Sequence, residues 1–114
     1  MHIADKNNLS KRIEFRRQNI ESGVPKASGI YVFWINKMCI YVGKAVDLQS
    51  RLIQHWKGAK NDDLRLYIQT QKNSMEITFV TIENNMEQNI FDVEQSYIDL
   101  LKPQTNKINA RAKK

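Results

Sequence analysis

Residues 27–56 read ASGIYVFWINKMCIYVGKAVDLQSRLIQHW, and this stretch decides the fold. Two apolar segments rich in aromatic and β-branched residues, 29–35 and 39–43, are separated by the polar pair Asn36-Lys37. Apolar segments joined by turn-forming residues predict a β-hairpin. Because side chains alternate along a strand, every second residue of each segment lies on the same face of the sheet.

The hairpin and the helix predicted after it bring polar side chains to one end of the sheet. Tyr31 and Tyr41 can lie on the same face of neighbouring strands. After the second strand, Asp47 is a suitable N-cap for a helix. Arg51 and His55 are four residues apart, so they lie on one face of that helix.

The remaining periodicity predicts an α/β fold. A third strand, apolar on both faces, is predicted over 75–82. Helices are predicted over 9–21, over 61–72, and from residue 84 or 85 to about residue 101. We therefore expect a small, mainly antiparallel three-stranded sheet flanked by helices.

Glu94 interrupts the apolar stripe of the last predicted helix, between Ile90 and Ile98. A carboxylate in an apolar stripe is costly unless it is paired or bound to a metal ion. A salt bridge to Arg51 or Lys44 would satisfy it, and so would a hard divalent cation such as Mg²⁺.

Positive charge is concentrated at the two ends of the chain, whose formal net charge is +6. Residues 102–114 contain five bases and no acid, and residues 1–20 contain five bases and two acids. Basic ends around a more acidic middle suggest a partner that carries phosphates, although a solvated basic surface gives the same pattern. Candidate phosphate contacts in these ends are Arg16, Arg17, Lys107 and Arg111.

Composition also excludes several classes of protein. No apolar run approaches the roughly 18–20 residues that span a bilayer, and the first residues lack a signal-peptide core. Cys39 is the single cysteine and lies among apolar residues, so we expect it to be buried rather than paired. No Cys/His cluster has the spacing of a zinc site. A cytoplasmic location is the expectation.

Two triplets of the hairpin resemble the motif that names the GIY-YIG nuclease family. They are Gly29-Ile30-Tyr31 and Tyr41-Val42-Gly43, the second with Val in place of Ile. The run that follows, through Trp56, is similar to the nuclease domain of the incision protein of excision repair. The resemblance covers about residues 27–107 and continues, in order, through Arg51, His55, Glu94 and Asn106.

This resemblance implies a metal-dependent DNA endonuclease that uses Mg²⁺ or Mn²⁺ and leaves a 5′-phosphate and a 3′-hydroxyl. Glu94 would bind the metal and Arg51 would face the scissile phosphate. One motif tyrosine would accept the proton of the attacking water. We expect Tyr31 in that role and Tyr41 as its orienting partner. The remaining roles are proton relay by His55, phosphate contact or a lowered tyrosine pKa from Lys44, and anchoring of the last loop by Asn106.

Two alternative functions fit the same residues: a non-catalytic nucleic-acid-binding module, and a domain that cuts only when another chain presents the DNA. We expect one domain over residues 1–114, with a core at about 27–107, a basic N-terminal helix and a basic tail over 108–114. A second domain or zinc domain, which some members of the family carry, is not expected. DNA is the expected partner, and a targeting protein or a second copy of this chain are further candidates. The location would be cytoplasmic or nucleoid-associated, with no membrane partner.

Overall fold

The structure, a computed structural model, describes residues 5–58, 62–82 and 90–105, without the side chains of residues 62 and 63. Within these ranges no helix is long and apolar enough to cross a membrane. The strands are β1 (Ile13–Glu14), β2 (Gly29–Ile35), β3 (Met38–Ala45) and β4 (Met75–Thr81). The helices are α1 (Arg17–Gly23), α2 (Leu48–Gly58), α3 (Asp62–Gln71) and α4 (Ile90–Leu101), with short 3₁₀ turns at Lys6–Asn8 and Lys72–Ser74.

The sheet is antiparallel throughout and has the strand order β1-β4-β2-β3. The expected α/β fold with a mainly antiparallel sheet and flanking helices is confirmed, with four strands in place of three. Every residue of the inner strand β2 is buried. One face of the sheet packs Tyr31 and Phe33 against residues of α1, α2 and α3, and the other packs Ile30 and Val32 against α4. The inner strand is therefore covered on both faces.

The predicted helix over 9–21 is wrong, because this segment supplies the fourth strand. The backbone N–H of Ser10 donates to the carbonyl of Phe79 at 2.7 Å, and Ile13 is registered opposite Ile77. The side chain of Phe15 is only 2% exposed. Without this segment the N–H and C=O groups along the outer edge of β4 would be unpaired, and their pairing outweighs the local helical pattern. Helix α1 begins only at Arg17.

The elements next to the hairpin agree with the prediction. Asp47 accepts a hydrogen bond from the backbone N–H of Ser50 at 2.9 Å, so it caps α2 as expected. In the hairpin turn Asn36 has φ 55°, a left-handed conformation that Asn tolerates better than most residues. Cys39 is buried, and burial raises the pKa of its thiol to about 12. The predicted start of the last helix, at residue 84 or 85, lies outside the described residues.

The segment after α4 closes the fold along the outer edge of β3. The backbone N–H of Gln104 donates to the carbonyl of Cys39 at 3.0 Å. Thr105 donates twice to the carbonyl of Ile40, from its N–H at 3.1 Å and from its hydroxyl at 2.9 Å. The chain that precedes Asn106 is therefore attached one residue away from Tyr41.

Candidate active site

The glycines of the two triplets are places where no side chain fits. Tyr31 is registered opposite Gly43, and its ring lies across that glycine. A Cβ on Gly43 would be 2.8 Å from Cε1 of Tyr31 and closer still to Cζ and the hydroxyl oxygen. A Cβ on Gly29 would be 2.8 Å from Cδ1 of Leu48 and would overlap the carbonyl oxygen of Val80. One glycine therefore seats the Tyr31 ring and the other seats the start of α2.

A buried phenol and a buried imidazole form the inner part of the site. The hydroxyl of Tyr31 is 2.7 Å from Nε2 of His55. Tyr31 is 0% exposed and His55 is 7% exposed. Burial, with a contribution from the charge of Arg51, lowers the pKa of His55 to about 4. His55 is therefore a neutral imidazole at neutral pH.

The tautomer of His55 follows from its second ring nitrogen. Among the described residues Nδ1 is buried and has no hydrogen-bond partner. A buried N–H without an acceptor is rarer in proteins than an under-used acceptor. We therefore assign the proton to Nε2, which makes His55 the donor in its hydrogen bond to the Tyr31 oxygen. Tyr31 is then able to donate its own proton onward.

The hydroxyl of Tyr31 donates a hydrogen bond to the hydroxyl of Tyr41, which is the outermost member of the series His55, Tyr31 and Tyr41. Its ring centroid is 6.0 Å from the rings of both Tyr31 and His55. Burial raises the pKa of Tyr31 well above its usual value, and the charge of Tyr41 and the hydrogen bond to Tyr41 add to the rise. Burial and the charge of Glu94 also raise the pKa of Tyr41, but the hydrogen bond from Tyr31 and the charge of Arg51 oppose the rise. The phenolate is therefore favoured on Tyr41 rather than on Tyr31.

The two tyrosines differ in exposure because of their strands. Tyr31 lies on β2, which has a neighbouring strand on each side, and is completely buried. Tyr41 lies on β3, the last strand of the sheet, and is only partly buried. Solvent reaches Tyr41, whereas Tyr31 is enclosed by its neighbours.

Charged side chains surround the exposed end of this chain of groups. Nζ of Lys44 is 3.4 Å from Oε1 of Glu94, whose side chain is 18% exposed. The same Nζ is 4.3 Å from the ring centroid of Phe91. Arg51 is exposed, and its charge acts on the pKa values of Tyr31, Tyr41 and His55. A pocket of about 250 Å³ beside these groups is lined by Lys44, Ala45, Val46, Arg51, Ile90 and Phe91.

The donor atoms at this end suit a hard cation that keeps most of its water. Glu94 offers carboxylate oxygens, and its pair with Lys44 is a single long contact of 3.4 Å. The described part of the chain holds no group of three His, Cys, Asp or Glu side chains that could bind a metal ion together. A structural zinc site needs several N or S ligands, whereas Mg²⁺ binds through one or two carboxylates and substrate phosphates. The residues therefore fit Mg²⁺ or Mn²⁺ rather than Zn²⁺.

The predicted site residues separate into three groups. Tyr31, Tyr41, Lys44, Arg51, His55 and Glu94 are brought together. Arg16 and Arg17 instead form ion pairs, Arg16 with Glu14 at 2.9 Å and Arg17 with Glu21 of the same helix at 3.0 Å. Asn106, Lys107 and Arg111 lie outside the described residues.

Sequence reasoning missed two contributors. Phe91 is 61% exposed at the mouth of the pocket and packs against Lys44. Thr105 fastens the last loop to β3 through its buried hydroxyl. An aromatic residue one turn before Glu94 on the same helix was a usable signal for Phe91. Thr105 gave no local signal, because its partner Ile40 is distant in the sequence.

The site combines a phenol on each strand of the hairpin, a histidine and an arginine from the next helix, and a glutamate from the last helix. This combination defines a class of nuclease domain. The chain belongs to the GIY-YIG family, since the family model of the GIY-YIG catalytic domain matches residues 27–109. The domain is accordingly an endonuclease domain by class.

Individual relatives are also similar. The UvrABC system protein C of Aquifex aeolicus (strain VF5) is 28% identical over 89 residues, which are 78% of this chain and 15% of that protein. The UvrABC system protein C of Fervidobacterium nodosum is 30% identical over 74 residues, 65% of this chain and 12% of that protein. The chain thus matches only a small part of the length of these relatives.

Solved structures of the GIY-YIG N-terminal endonuclease domain of UvrC from Thermotoga maritima have the same fold. A point mutant bound to its catalytic divalent cation is 25% identical with a TM-score of 0.59, covering 78% of this chain and 91% of that chain. The same domain bound to magnesium is 24% identical with a TM-score of 0.59, covering 78% and 92%.

Proposed function

We propose that this chain is a metal-dependent DNA endonuclease that hydrolyses a phosphodiester bond to leave a 5′-phosphate and a 3′-hydroxyl. The observation that carries the proposal is the chain of hydrogen bonds from His55 through Tyr31 to Tyr41. It ends at a partly exposed phenol next to Arg51 and Glu94. The divalent cation in the related UvrC domain supports the choice of chemistry.

Tyr41, rather than Tyr31 as expected from the sequence, is the proposed general base. A general base must reach the attacking water, and the completely buried Tyr31 is enclosed by neighbouring side chains. A phenol has a pKa near 10, so its phenolate is scarce at neutral pH unless neighbours favour it. Burial and the charge of Glu94 raise the pKa of Tyr41, and the hydrogen bond from Tyr31 and the positive charge of Arg51 oppose that rise. A divalent cation held by Glu94 would offset the Glu94 charge and so favour the phenolate further. Tyr31 is the orienting partner, and His55 holds Tyr31.

The other groups act on the phosphate. Arg51 is exposed and is proposed to bind the non-bridging oxygens of the scissile phosphate, where negative charge builds up in the transition state. Glu94 is proposed to hold Mg²⁺ or Mn²⁺, which when bound would supply Lewis-acid stabilisation of that charge. Lys44 pairs with the Glu94 carboxylate and is proposed to contact a phosphate of the substrate.

The water oxygen attacks phosphorus and gives its proton to the Tyr41 oxygen. The bond between phosphorus and the 3′ oxygen breaks, and the departing 3′ oxygen takes a proton from solvent water to become the 3′-hydroxyl. The hydrogen bond that Tyr31 donates is stronger to a phenolate than to a neutral phenol, because hydrogen bonds to charged groups are the stronger ones. The buried pair of Tyr31 and His55 therefore stabilises the reactive form of Tyr41 without contacting the substrate.

Contacts beyond the site stay proposals. Asn106 is proposed to tie the last loop to the site, and the attachment of Gln104 and Thr105 to β3 supports this placement. DNA is the proposed substrate, and a targeting protein or a second copy of the chain would be an additional partner. A cytoplasmic or nucleoid-associated location goes with that substrate. Further phosphate contacts are proposed for Arg16, Arg17, Lys107 and Arg111.

The deciding experiment is cleavage of labelled single-stranded, duplex and branched DNA, and of RNA, by the wild type and by Glu94→Gln with Mg²⁺. Gln keeps the shape of Glu94 and removes its charge, so cleavage should be lost while binding and folding persist. Chelator should have the same effect on the wild type. Glu76→Gln is the matched control, because Glu76 is a half-exposed carboxylate on β4 that pairs with Arg12.

Three outcomes separate the functions. Loss of a catalytic metal ion should lower the cleavage rate by far more than about tenfold. If Glu94→Gln still cleaves within about tenfold of the wild-type rate, Glu94 is not the metal ligand. Binding of every substrate without cleavage supports the non-catalytic module. Cleavage that appears only after a second protein is added supports the partner-dependent domain.

A further inference from the structure

A second pocket lies away from the tyrosines, where the end of α2 meets α3 and the turn before β4. Its volume is about 490 Å³, roughly twice that of the pocket beside Lys44. Three of its eleven described lining residues are cations, namely Lys57, Arg65 and Lys72, and none of the eleven is an acid. Gln69 and Asn73 add neutral hydrogen-bond donors to the wall. The lining chemistry therefore suits an anion that also accepts neutral hydrogen bonds.

One of the cations is held in a fixed position. Nζ of Lys72 lies 3.7 Å from the centroid of the Trp56 ring and donates to the Trp56 carbonyl at 3.4 Å. The Trp56 ring is itself packed edge-on against Phe15, with 5.4 Å between the centroids. A cation that is already ordered loses little conformational freedom when it binds an anion. Lys57, in contrast, takes part in none of the ion pairs formed within the described residues.

One of the α2 residues that line the pocket shares a helix face with the candidate active site. Gly58, which lines the pocket, is seven residues after Arg51, so the two lie on one face of the helix. Seven residues of α-helix span about 10 Å. One nucleotide step of a duplex strand advances about 3.4 Å along the axis, and successive phosphates are farther apart than this rise. A strand that runs along α2 therefore covers the distance in at most about three steps.

We propose that this pocket, bounded by Trp56, Lys57, Gly58, Arg65 and Lys72, binds a backbone phosphate of the nucleic-acid strand that is cut, within about three nucleotides of the scissile phosphate. The proposal rests on the function proposed above and adds to it a second point of attachment. One contact at Arg51 leaves the strand free to rotate, whereas two contacts along α2 fix its direction across the site.

The first test variant introduces an acid into the pocket without removing a side chain that lines it. Among the described residues, no atom lies within 4 Å of a Cβ built on Gly58, and Gly58 does not have positive φ. Gly58→Glu therefore adds a carboxylate without a clash in that part of the structure. Lys57→Glu is the second variant, and Lys37→Glu is the control with the same change of charge in the hairpin turn. Binding of fluorescein-labelled single-stranded and duplex DNA is measured by anisotropy over a range of salt concentrations, with no divalent cation present.

Both pocket variants should bind DNA roughly three- to tenfold more weakly, with the slope of log affinity against log salt reduced by about 0.7–0.9 for the lost phosphate contact. Lys37→Glu should bind like the wild type. Equal affinities for all four proteins overturn the proposal, and so does an equal loss in the pocket variants and the control. Such an equal loss would report net charge alone.

A second substrate keeps the two proposals separable. Bis(p-nitrophenyl) phosphate is a small phosphodiester that is too short to reach from Arg51 to the pocket. If the wild type with Mg²⁺ hydrolyses neither this diester nor DNA, the proposed function fails, and the anisotropy data still decide whether the pocket binds the strand. If KM for DNA is unaffected in Gly58→Glu while hydrolysis proceeds, the pocket proposal fails and the proposed function stands.

Discussion

Replacing each motif tyrosine by phenylalanine should produce opposite patterns of stability and rate. Tyr31→Phe removes a fully buried hydroxyl that bonds to both His55 and Tyr41, and it leaves Nε2 of His55 without its partner at 2.7 Å. Leaving such a buried group unpaired costs about 1–3 kcal/mol of the free energy of unfolding. Tyr41→Phe removes the acceptor of the Tyr31 hydroxyl, but solvent reaches this position and a water molecule can accept that hydrogen bond instead. Its cost should therefore be at most about 1 kcal/mol.

Catalysis should show the reverse order. Loss of a general base typically lowers the rate about 10²- to 10⁴-fold, so Tyr41→Phe should fall in that range. Tyr31→Phe removes one hydrogen bond to the reactive phenolate, worth about 1.5–3 kcal/mol or roughly 10- to 150-fold in rate. The two expected ranges of rate overlap. The informative result is therefore that Tyr31→Phe is the less stable variant while Tyr41→Phe is the slower one.

The assay is single-turnover cleavage with enzyme in excess, measured over a range of pH, together with denaturant unfolding of the same proteins. Because the pKa of Tyr41 is raised, the phenolate fraction and the wild-type rate should keep rising with pH up to at least the ordinary phenol pKa near 10. The rise should persist in Tyr31→Phe and disappear in Tyr41→Phe. If Tyr31→Phe has the flat profile and the slower rate, Tyr31 is the base and the burial argument is wrong.

Three further predictions concern stability and binding. Gly43→Ala should cost about 1–3 kcal/mol in denaturant unfolding because its Cβ overlaps the Tyr31 ring, whereas Gly58→Ala should be neutral or stabilising; equal effects would contradict the packing argument. The pKa of His55 is about 6.5 in the unfolded chain and about 4 in the folded protein, so the unfolded chain binds a proton first as the pH falls. The free energy of unfolding should therefore decrease by about 3 kcal/mol between pH 6.5 and pH 4. His55→Gln should remove this pH-dependent component. Deleting residues 109–114 removes three bases and should lower the salt slope of DNA binding by about 2–3 in total, with an unchanged slope indicating a tail that is simply solvated.

The sequence predicted the hairpin and α2 well because their determinants are local. The turn, the alternation of apolar side chains and the Asp47 cap all act within a few residues, and the structure has each of them. The 9–21 segment failed for the opposite reason. Its strand pairs Ile13 with Ile77, more than sixty residues away, and no local pattern reports such a partner.

The sequence predicted which residues meet at the candidate site, but not how deeply each of its two tyrosines is buried. Strand alternation places Tyr31 and Tyr41 on one face, and helical spacing adds Arg51 and His55. Alternation does not show which strand is inner and which is last in the sheet. That order decides which phenol meets solvent, and it depends on where β4 docks.

The segment that pairs with β4 also defines the smallest piece of this chain that should fold cleanly. The family match begins at residue 27. The segment from Ser10 to Phe15 lies before it, forms backbone hydrogen bonds with β4, and packs Phe15 on Phe33 with 4.9 Å between ring centroids. A fragment trimmed to the matched region would leave the edge of β4 without its hydrogen-bonding partner and would expose part of the Phe33 ring. Such edges recruit strands from other molecules and promote aggregation. The boundary of homology and the boundary of the folding unit are therefore different positions in this protein.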